Sequence, residues 1–170
     1  MTLPPVIWER SFEIPTKPKA WARVGLKNGV SFEPKEQREH KATLIALAAP
    51  HAPPVPHDGP VSFALTFRLP IATSWPKWQQ EAAETGLIVP TGVPDFDNLS
   101  KMIFDGLKRS GRWFTDDARV IGFHAPSFKL HHRAPGTLVD VRFYREPTAA
   151  EWKARKALGS GFAFTSGGAT

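Results

Sequence analysis

One stretch of the chain alternates apolar residues with polar or small ones without a break. It covers residues 61–69 and reads Val-Ser-Phe-Ala-Leu-Thr-Phe-Arg-Leu. Because successive side chains of a strand point to opposite faces, this pattern predicts a β-strand with one fully buried face. A strand of this kind needs neighbouring strands and a covering layer, so we expect it at or next to the centre of a sheet.

The remaining segments predict strands and helices in mixed order. Strands are expected at residues 6–14, about 118–125 and 138–144. Helices are expected at about 34–49, with a solvent-facing charged first half, and at 76–84, 97–109 and 148–158. This order predicts an α+β (mixed α/β) domain in which helices pack on one mixed sheet. Trp75 and Trp78 are expected to cover its core, with contact to a ligand as the alternative.

Length and composition favour a single domain. The chain has 170 residues, of which 41% are hydrophobic and 22% charged, as is usual for globular proteins. We expect one domain over residues 1–158 and a flexible tail over 159–170. The absence of cysteine excludes disulfides and thiol nucleophiles. Without a long apolar run, the sequence predicts a cytoplasmic protein and neither secretion nor membrane insertion.

The charge balance favours a polyanionic partner. The formal net charge is +6, and residues 15–34 are basic and irregular, with Trp21 among the cations. Basic residues interleaved with an aromatic ring are typical of nucleic-acid grooves. Four cations of this segment are the predicted nucleic-acid contacts: Lys17, Lys19, Arg23 and Lys27. Two alternatives stay open, since this segment is either a hairpin or a mobile arm, and Trp21 contacts DNA or packs on its own domain.

Five aspartates lie close together in this basic chain: Asp95, Asp97, Asp105, Asp116 and Asp117. Carboxylates at this density repel one another, and a bound cation would relieve the repulsion. If the backbone is extended here, Asp95 and Asp97 project to the same side. The later acidic pair precedes a predicted strand, so we expect the end of one extended segment, the helix and the start of the strand to converge.

These residues suit a hard divalent cation such as Mg²⁺, which prefers carboxylate oxygens and retains several waters. The predicted ligands are Asp95, Asp97 and Asp117. Asp116 is the alternative to Asp117, because adjacent residues of an extended segment face opposite ways. Lys101, one helical turn beyond Asp97, is predicted to stabilise negative charge on a phosphate under attack.

The same residues also have plain structural explanations. In one explanation, Asp97 or Asn98 caps the N-terminus of the helix. In another, Lys101 forms i,i+4 ion pairs with Asp97 and with Asp105. Residues 115–117 are then only a polar turn. The histidines show no metal-binding spacing and are interpreted as surface or packing residues.

Three motifs lie between residues 94 and 121: Asp95-Phe96-Asp97-Asn98-Leu99-Ser100-Lys101, Phe104-Asp105-Gly106-Leu107, and Trp113 followed by Asp116-Asp117-Ala118-Arg119-Val120. They fit the pattern D-x-D-N-x-x-K-x-x-x-D-x-L followed by D-D-x-x-V. This stretch resembles the signature of the RusA family of Holliday junction resolvases. Residues 50–60, residues 75–86 and the C-terminal helix lie outside the resemblance.

The resemblance implies a homodimeric, Mg²⁺-dependent endonuclease that nicks four-way DNA junctions symmetrically, with Mn²⁺ as a substitute metal. It assigns the essential aspartates to Asp95, Asp97 and Asp117, and the essential lysine to Lys101. It also makes a phage or prophage origin plausible. Two other functions remain open on the residues alone: a DNA-binding accessory protein that cuts nothing, and a metal-dependent nuclease of broader flap or RNA specificity.

Overall fold

The computed structural model describes residues 4–22, 25–27 and 30–157. Within these ranges the strands are β1 (Val6–Ile14), β2 (Gly25–Lys27), β3 (Val30–Phe32), β4 (Val61–Pro70), β5 (Val120–Phe123), β6 (Phe128–His132) and β7 (Gly136–Tyr144). The helices are α1 (Lys35–Ala48), α2 (Lys77–Glu84), α3 (Phe96–Arg109) and α4 (Ala149–Ala157). Short 3₁₀ turns cover Ala49–His51 and Asp117–Arg119. The expected tail at 159–170 lies outside the described residues.

The alternating strand β4 lies at the centre of a five-stranded mixed sheet, as predicted. On one side it pairs antiparallel with β7, which in turn pairs antiparallel with β1. On its other side it pairs parallel with β5 along its first part and with β6 along its second. Its core-facing side chains Val61, Phe63 and Leu65 are fully buried. The predicted α+β class with one mixed sheet is confirmed.

Helices α1 and α3 cover the apolar face of this sheet. In α3 the buried residues Leu99, Met102, Ile103 and Leu107 recur at helical spacing and join the core formed by β4, β7 and β1. The two helices approach closely at Gly106, where an added Cβ would lie 2.7 Å from Leu44 Cδ2. The core contacts of α3 therefore fix which of its residues face solvent.

Several local expectations are wrong in informative ways. The first half of α1 is not wholly solvent-facing, because Gln37 and Lys41 are buried. Trp78 is 67% exposed and is not a core residue. Strand β6 was not expected, and β5 is shorter than predicted. The basic segment contains a hairpin of β2 and β3, one of its two alternatives.

Among the described residues, no helix is long and apolar enough to cross a membrane.

A buried ion network joins α1 to α3. Lys41 Nζ lies 2.6 Å from Glu33 Oε1 and 2.8 Å from Asp105 Oδ2, and only 5% of its side chain is exposed. Glu33 also pairs with Arg109 at 2.8 Å and accepts a hydrogen bond from Gln37. The Lys41 hydrogen bond lowers the pKa of Glu33 to about 2 despite the opposing effect of burial. Burial alone would lower the pKa of Lys41, but its two carboxylate partners outweigh that and raise it.

Replacing the buried cation should destabilise the protein. We expect Lys41→Met to lower the free energy of unfolding by about 3 kcal/mol, because two partly buried carboxylates lose their shared partner. Lys35→Met in the same helix is the control. Lys35 is 78% exposed and 3.7 Å from Glu39, so its loss should cost less than about 0.5 kcal/mol. Urea denaturation measures both, and equal costs would contradict a structural role for the network.

Acid should remove the contribution of Glu33. Its folded-state pKa, about 2, lies below its ordinary value of 4.5, so the unfolded chain takes up the proton first as pH falls. The stabilisation is complete above the unfolded pKa and disappears as pH drops through the folded one. We therefore expect the stability difference between wild type and Glu33→Gln to narrow between pH 4.5 and pH 2. Urea midpoints across this range test it, and a constant difference would refute it.

Candidate active site

Asp95 and Asp97 lie at the N-terminal end of α3. Asp95 is the N-cap residue and has extended dihedrals, whereas Asp97 is already in the first helical turn. The prediction of one extended segment presenting both residues is therefore wrong, because the helix begins between them. The Asp95 side chain makes no capping hydrogen bond. Both carboxylates are exposed, and neither has a hydrogen-bond or ion-pair partner within the described part of the chain.

Lys101 lies one turn further along α3, as predicted, but its partner is an aromatic ring. Its Nζ is 3.7 Å from the centroid of the Trp21 ring, a cation–π contact. The Trp21 backbone N–H donates to the carbonyl of Asn98 at 2.9 Å, which fixes the ring against α3. Trp21 thus packs on its own domain. The alternative of an ion pair between Lys101 and Asp105 is wrong, since Asp105 pairs with Lys41.

Asp116 and Asp117 lie in a 3₁₀ turn before β5 and not in the strand itself. The Asp116 side chain caps this turn by accepting from the Ala118 N–H at 2.9 Å. Asp117 accepts from Lys108 Nζ at 3.0 Å, and this hydrogen bond holds the pKa of Asp117 below its usual value. The structural explanation therefore holds for Asp116, whereas Asp117 is engaged by a lysine of α3.

The structure brings together part of the predicted ligand set. Asp97 and Lys108 are eleven residues apart in α3, which places them about 16 Å apart along the helix axis. Asp117 bonds to Lys108 and so lies with the far end of α3. Over residues 4–22, 25–27 and 30–157, no three acidic or histidine side chains form a metal-binding group. The three-aspartate site stays a prediction.

The basic segment runs beside the N-terminal end of α3, because Trp21 is bonded there. Lys17 is exposed, while Lys19 forms an ion pair with Glu36 at 3.0 Å. Arg23 lies outside the described residues, and the side chain of Lys27 is not among those described. Lys17 lines the same cleft as Pro94, the residue that precedes Asp95.

Two comparisons with known proteins bear on this arrangement. A family model described as endodeoxyribonuclease RusA matches residues 13–156, which include β4, α3 and all the candidate site residues. The chain belongs to the RusA endodeoxyribonuclease family. An uncharacterised protein of Bacillus subtilis, YqaN, is 32% identical over 110 residues, covering 62% of this chain and 76% of the relative. RusA membership confirms the sequence resemblance and makes this chain a member of a nuclease family. The match also spans residues 50–60 and 75–86, which were expected to lie outside it.

Two features around the candidate site were not predicted from the sequence. The contact between Trp21 and Lys101 joins residues 80 positions apart, and no periodicity reports such a pairing. The burial of Lys41 did have a signal. Residues 37, 41, 44 and 48 follow helical spacing, so Gln37 and Lys41 lie on the same face as Leu44 and Ala48.

Proposed function

We propose that this RusA-family protein is a Mg²⁺-dependent endonuclease that resolves four-way DNA junctions by paired symmetric nicks, with Mn²⁺ as a substitute metal. One observation carries the proposal. Two exposed carboxylates without a described protein partner, Asp95 and Asp97, lie one turn from a lysine that is held on an aromatic ring. Carboxylates without a protein partner are suited to a divalent cation, which can in turn bind a phosphate.

The donor set fits Mg²⁺ by its chemistry. Asp95 and Asp97 offer carboxylate oxygens, and their exposure leaves room for the waters that Mg²⁺ retains. When bound, the ion would neutralise charge on the scissile phosphate and activate water. Asp117 is the third proposed ligand, with Asp116 as its alternative. Asp117 Oδ1 accepts from Lys108, so a metal ion bound there would compete with this lysine for the carboxylate.

The remaining residues bind and orient the DNA. The Lys101 ammonium has one side on the Trp21 ring and can direct its N–H groups to a phosphate oxygen, where it stabilises the negative charge of the transition state. Lys17, Lys19, Arg23 and Lys27 are the proposed contacts to the flanking backbone. Contacts of this kind supply sequence-independent affinity that depends on salt.

The proposal includes a homodimer. A four-way junction has approximate two-fold symmetry, and clean resolution needs one incision on each of two opposed strands. A two-fold dimer presents two identical sites in matching register. We place the enzyme in the bacterial cytoplasm, in recombination and repair, and consider a phage gene a suitable source.

Removing one carboxylate should abolish cutting without abolishing binding. With Mg²⁺, wild-type protein should convert a synthetic four-way junction into two nicked duplexes. Asp97→Asn should lower the cleavage rate by at least about a hundredfold, because one metal-binding charge is lost at the reaction centre. Junction affinity measured in EDTA should stay within about twofold of wild type. Most of the affinity comes from contacts between cationic side chains and phosphates, and this substitution leaves those contacts in place.

Glu81→Gln is the matched control for this loss of charge. Glu81 is a surface residue of α2 with a distant partner, Lys77 at 3.8 Å, and its replacement should not alter cleavage. Normal cutting by Asp97→Asn would overturn the site. Normal cutting by Asp117→Asn would reduce the metal site to Asp95 and Asp97. Equal cutting of junction, flap and linear duplex at fixed salt would favour the broader nuclease, and binding without any cutting would favour an accessory protein.

Trp21 should act through the position of Lys101. We expect Trp21→Leu to lower kcat about threefold, because it removes the aromatic face while keeping an apolar side chain. Trp21→Phe should restore most of kcat, since it restores a ring for the ammonium. Thermal unfolding checks that both variants fold. Equal kcat for the Leu and Phe variants would show that the ring only fills space.

A further inference from the structure

A cleft of about 470 Å³ lies at the segment that leads into Asp95 and has no role in the chemistry above. It is formed by the ends of β4 and β6, the segment that leads into α2, and residues 88–94. Its wall includes Val93 and Pro94, which directly precede Asp95 in the chain. Anything bound in this cleft is therefore adjacent to the proposed reaction centre.

The lining of the cleft combines flat apolar surfaces with polar side chains. Trp75 is half-buried there and packs edge-to-face on His131, with 5.2 Å between the ring centroids. Pro70 and Ile88 add apolar surface, and Gln79 adds an amide. Exposed Lys17 also lines the cleft and brings a positive charge. An aromatic face, an amide and a neighbouring cation match the face, the edge and the phosphate of a nucleotide.

Hydrogen bonds within the protein connect the walls of the cleft. Lys129 Nζ donates to the carbonyls of Gly92 at 2.5 Å and Pro94 at 3.0 Å, which ties the wall to β6. On the opposite side, the Gln80 amide donates to the Trp75 carbonyl at 2.7 Å. A preformed cleft loses little conformational entropy when it is occupied, so a small flat group can bind well. Its size falls in the range of small-molecule sites, roughly 300 to 1,000 Å³.

We propose that this cleft receives one unstacked nucleobase of branched DNA, next to the phosphate handled by Asp95 and Asp97. The inference rests on the proposed function and adds a source of substrate choice. Bases at a branch point are more easily unstacked than those of a linear duplex, so occupying the cleft costs less on branched DNA. The cleft would thereby favour branched DNA over duplex and make binding depend on the base at one position.

The test is an abasic scan of the junction. Affinity is measured in EDTA, where cutting is absent, for four-way junctions that carry a single abasic site at each position flanking the branch point. Wild-type protein should lose about tenfold in affinity at one position, as expected for the loss of one base–aromatic stack. Trp75→Leu should bind the intact junction about tenfold more weakly and should lose nothing further at that position.

Trp78→Leu is the matched control, because Trp78 lies three residues away, is 67% exposed and does not line the cleft. It should show the wild-type abasic profile. A flat profile for the wild type overturns the proposal and leaves the cleft to another ligand, such as a peptide side chain of a partner protein. The scan on wild type decides this even if Trp75→Leu fails to fold.

The outcomes separate this inference from the proposed function. A position-dependent profile in a protein that never cuts with Mg²⁺ would support the base cleft and refute the nuclease. Cleavage of junctions together with a flat abasic profile would support the nuclease and refute the base cleft. Failure to bind any of the junctions would overturn both.

Discussion

The burial of one face of β4 beneath α3 is the contact on which the rest of the structure depends. The buried side chains of α3, namely Leu99, Met102, Ile103 and Leu107, must face the sheet to complete the core, and this requirement sets the rotation of the helix. Asp97 and Lys101, on the other side of α3, are consequently exposed. The same core that stabilises the domain therefore presents the residues proposed for catalysis.

The five aspartates of the motif region divide into two groups by their partners. Asp105 pairs with Lys41, Asp116 caps the turn that starts at Asp117, and Asp117 accepts a hydrogen bond from Lys108. Asp95 and Asp97 have no partner among the described residues. An ion pair or a helix cap occupies lone pairs of a carboxylate within the protein. A carboxylate without such a partner has its lone pairs available to a ligand. This difference in partners, more than the number of aspartates, singles out the N-terminal end of α3.

The segment before the aspartates joins recognition to chemistry in our interpretation. Residues 88–94 form a wall of the cleft and lead directly into Asp95, and Lys129 holds their carbonyls. Trp21 and Lys17 approach the same end of α3 from the basic segment. Three stretches distant in sequence thus meet around one helix terminus, an arrangement suited to a substrate that is both charged and partly unstacked.

Much of the fold was predictable because its signals are local. The alternation of β4, the helical spacing in α3 and the Thr148 capping box, in which Thr148 and Glu151 exchange hydrogen bonds, each lie within a few residues. The family signature likewise required only residues 94–121. Strand β6 escaped notice because its sequence, Phe128–His132, lacks a clean alternation, and only pairing with β4 makes it a strand.

The sequence by itself determined the class of fold, the central strand, the acidic helix and the family. Only the tertiary structure decided which charged side chains have a partner within the protein. Lys41 is buried between two carboxylates, Lys101 lies on Trp21, and Asp117 bonds to Lys108. The reason is that periodicity reports which face of an element is buried, whereas the partner of a charge depends on which distant segments the packed core brings within a few ångströms.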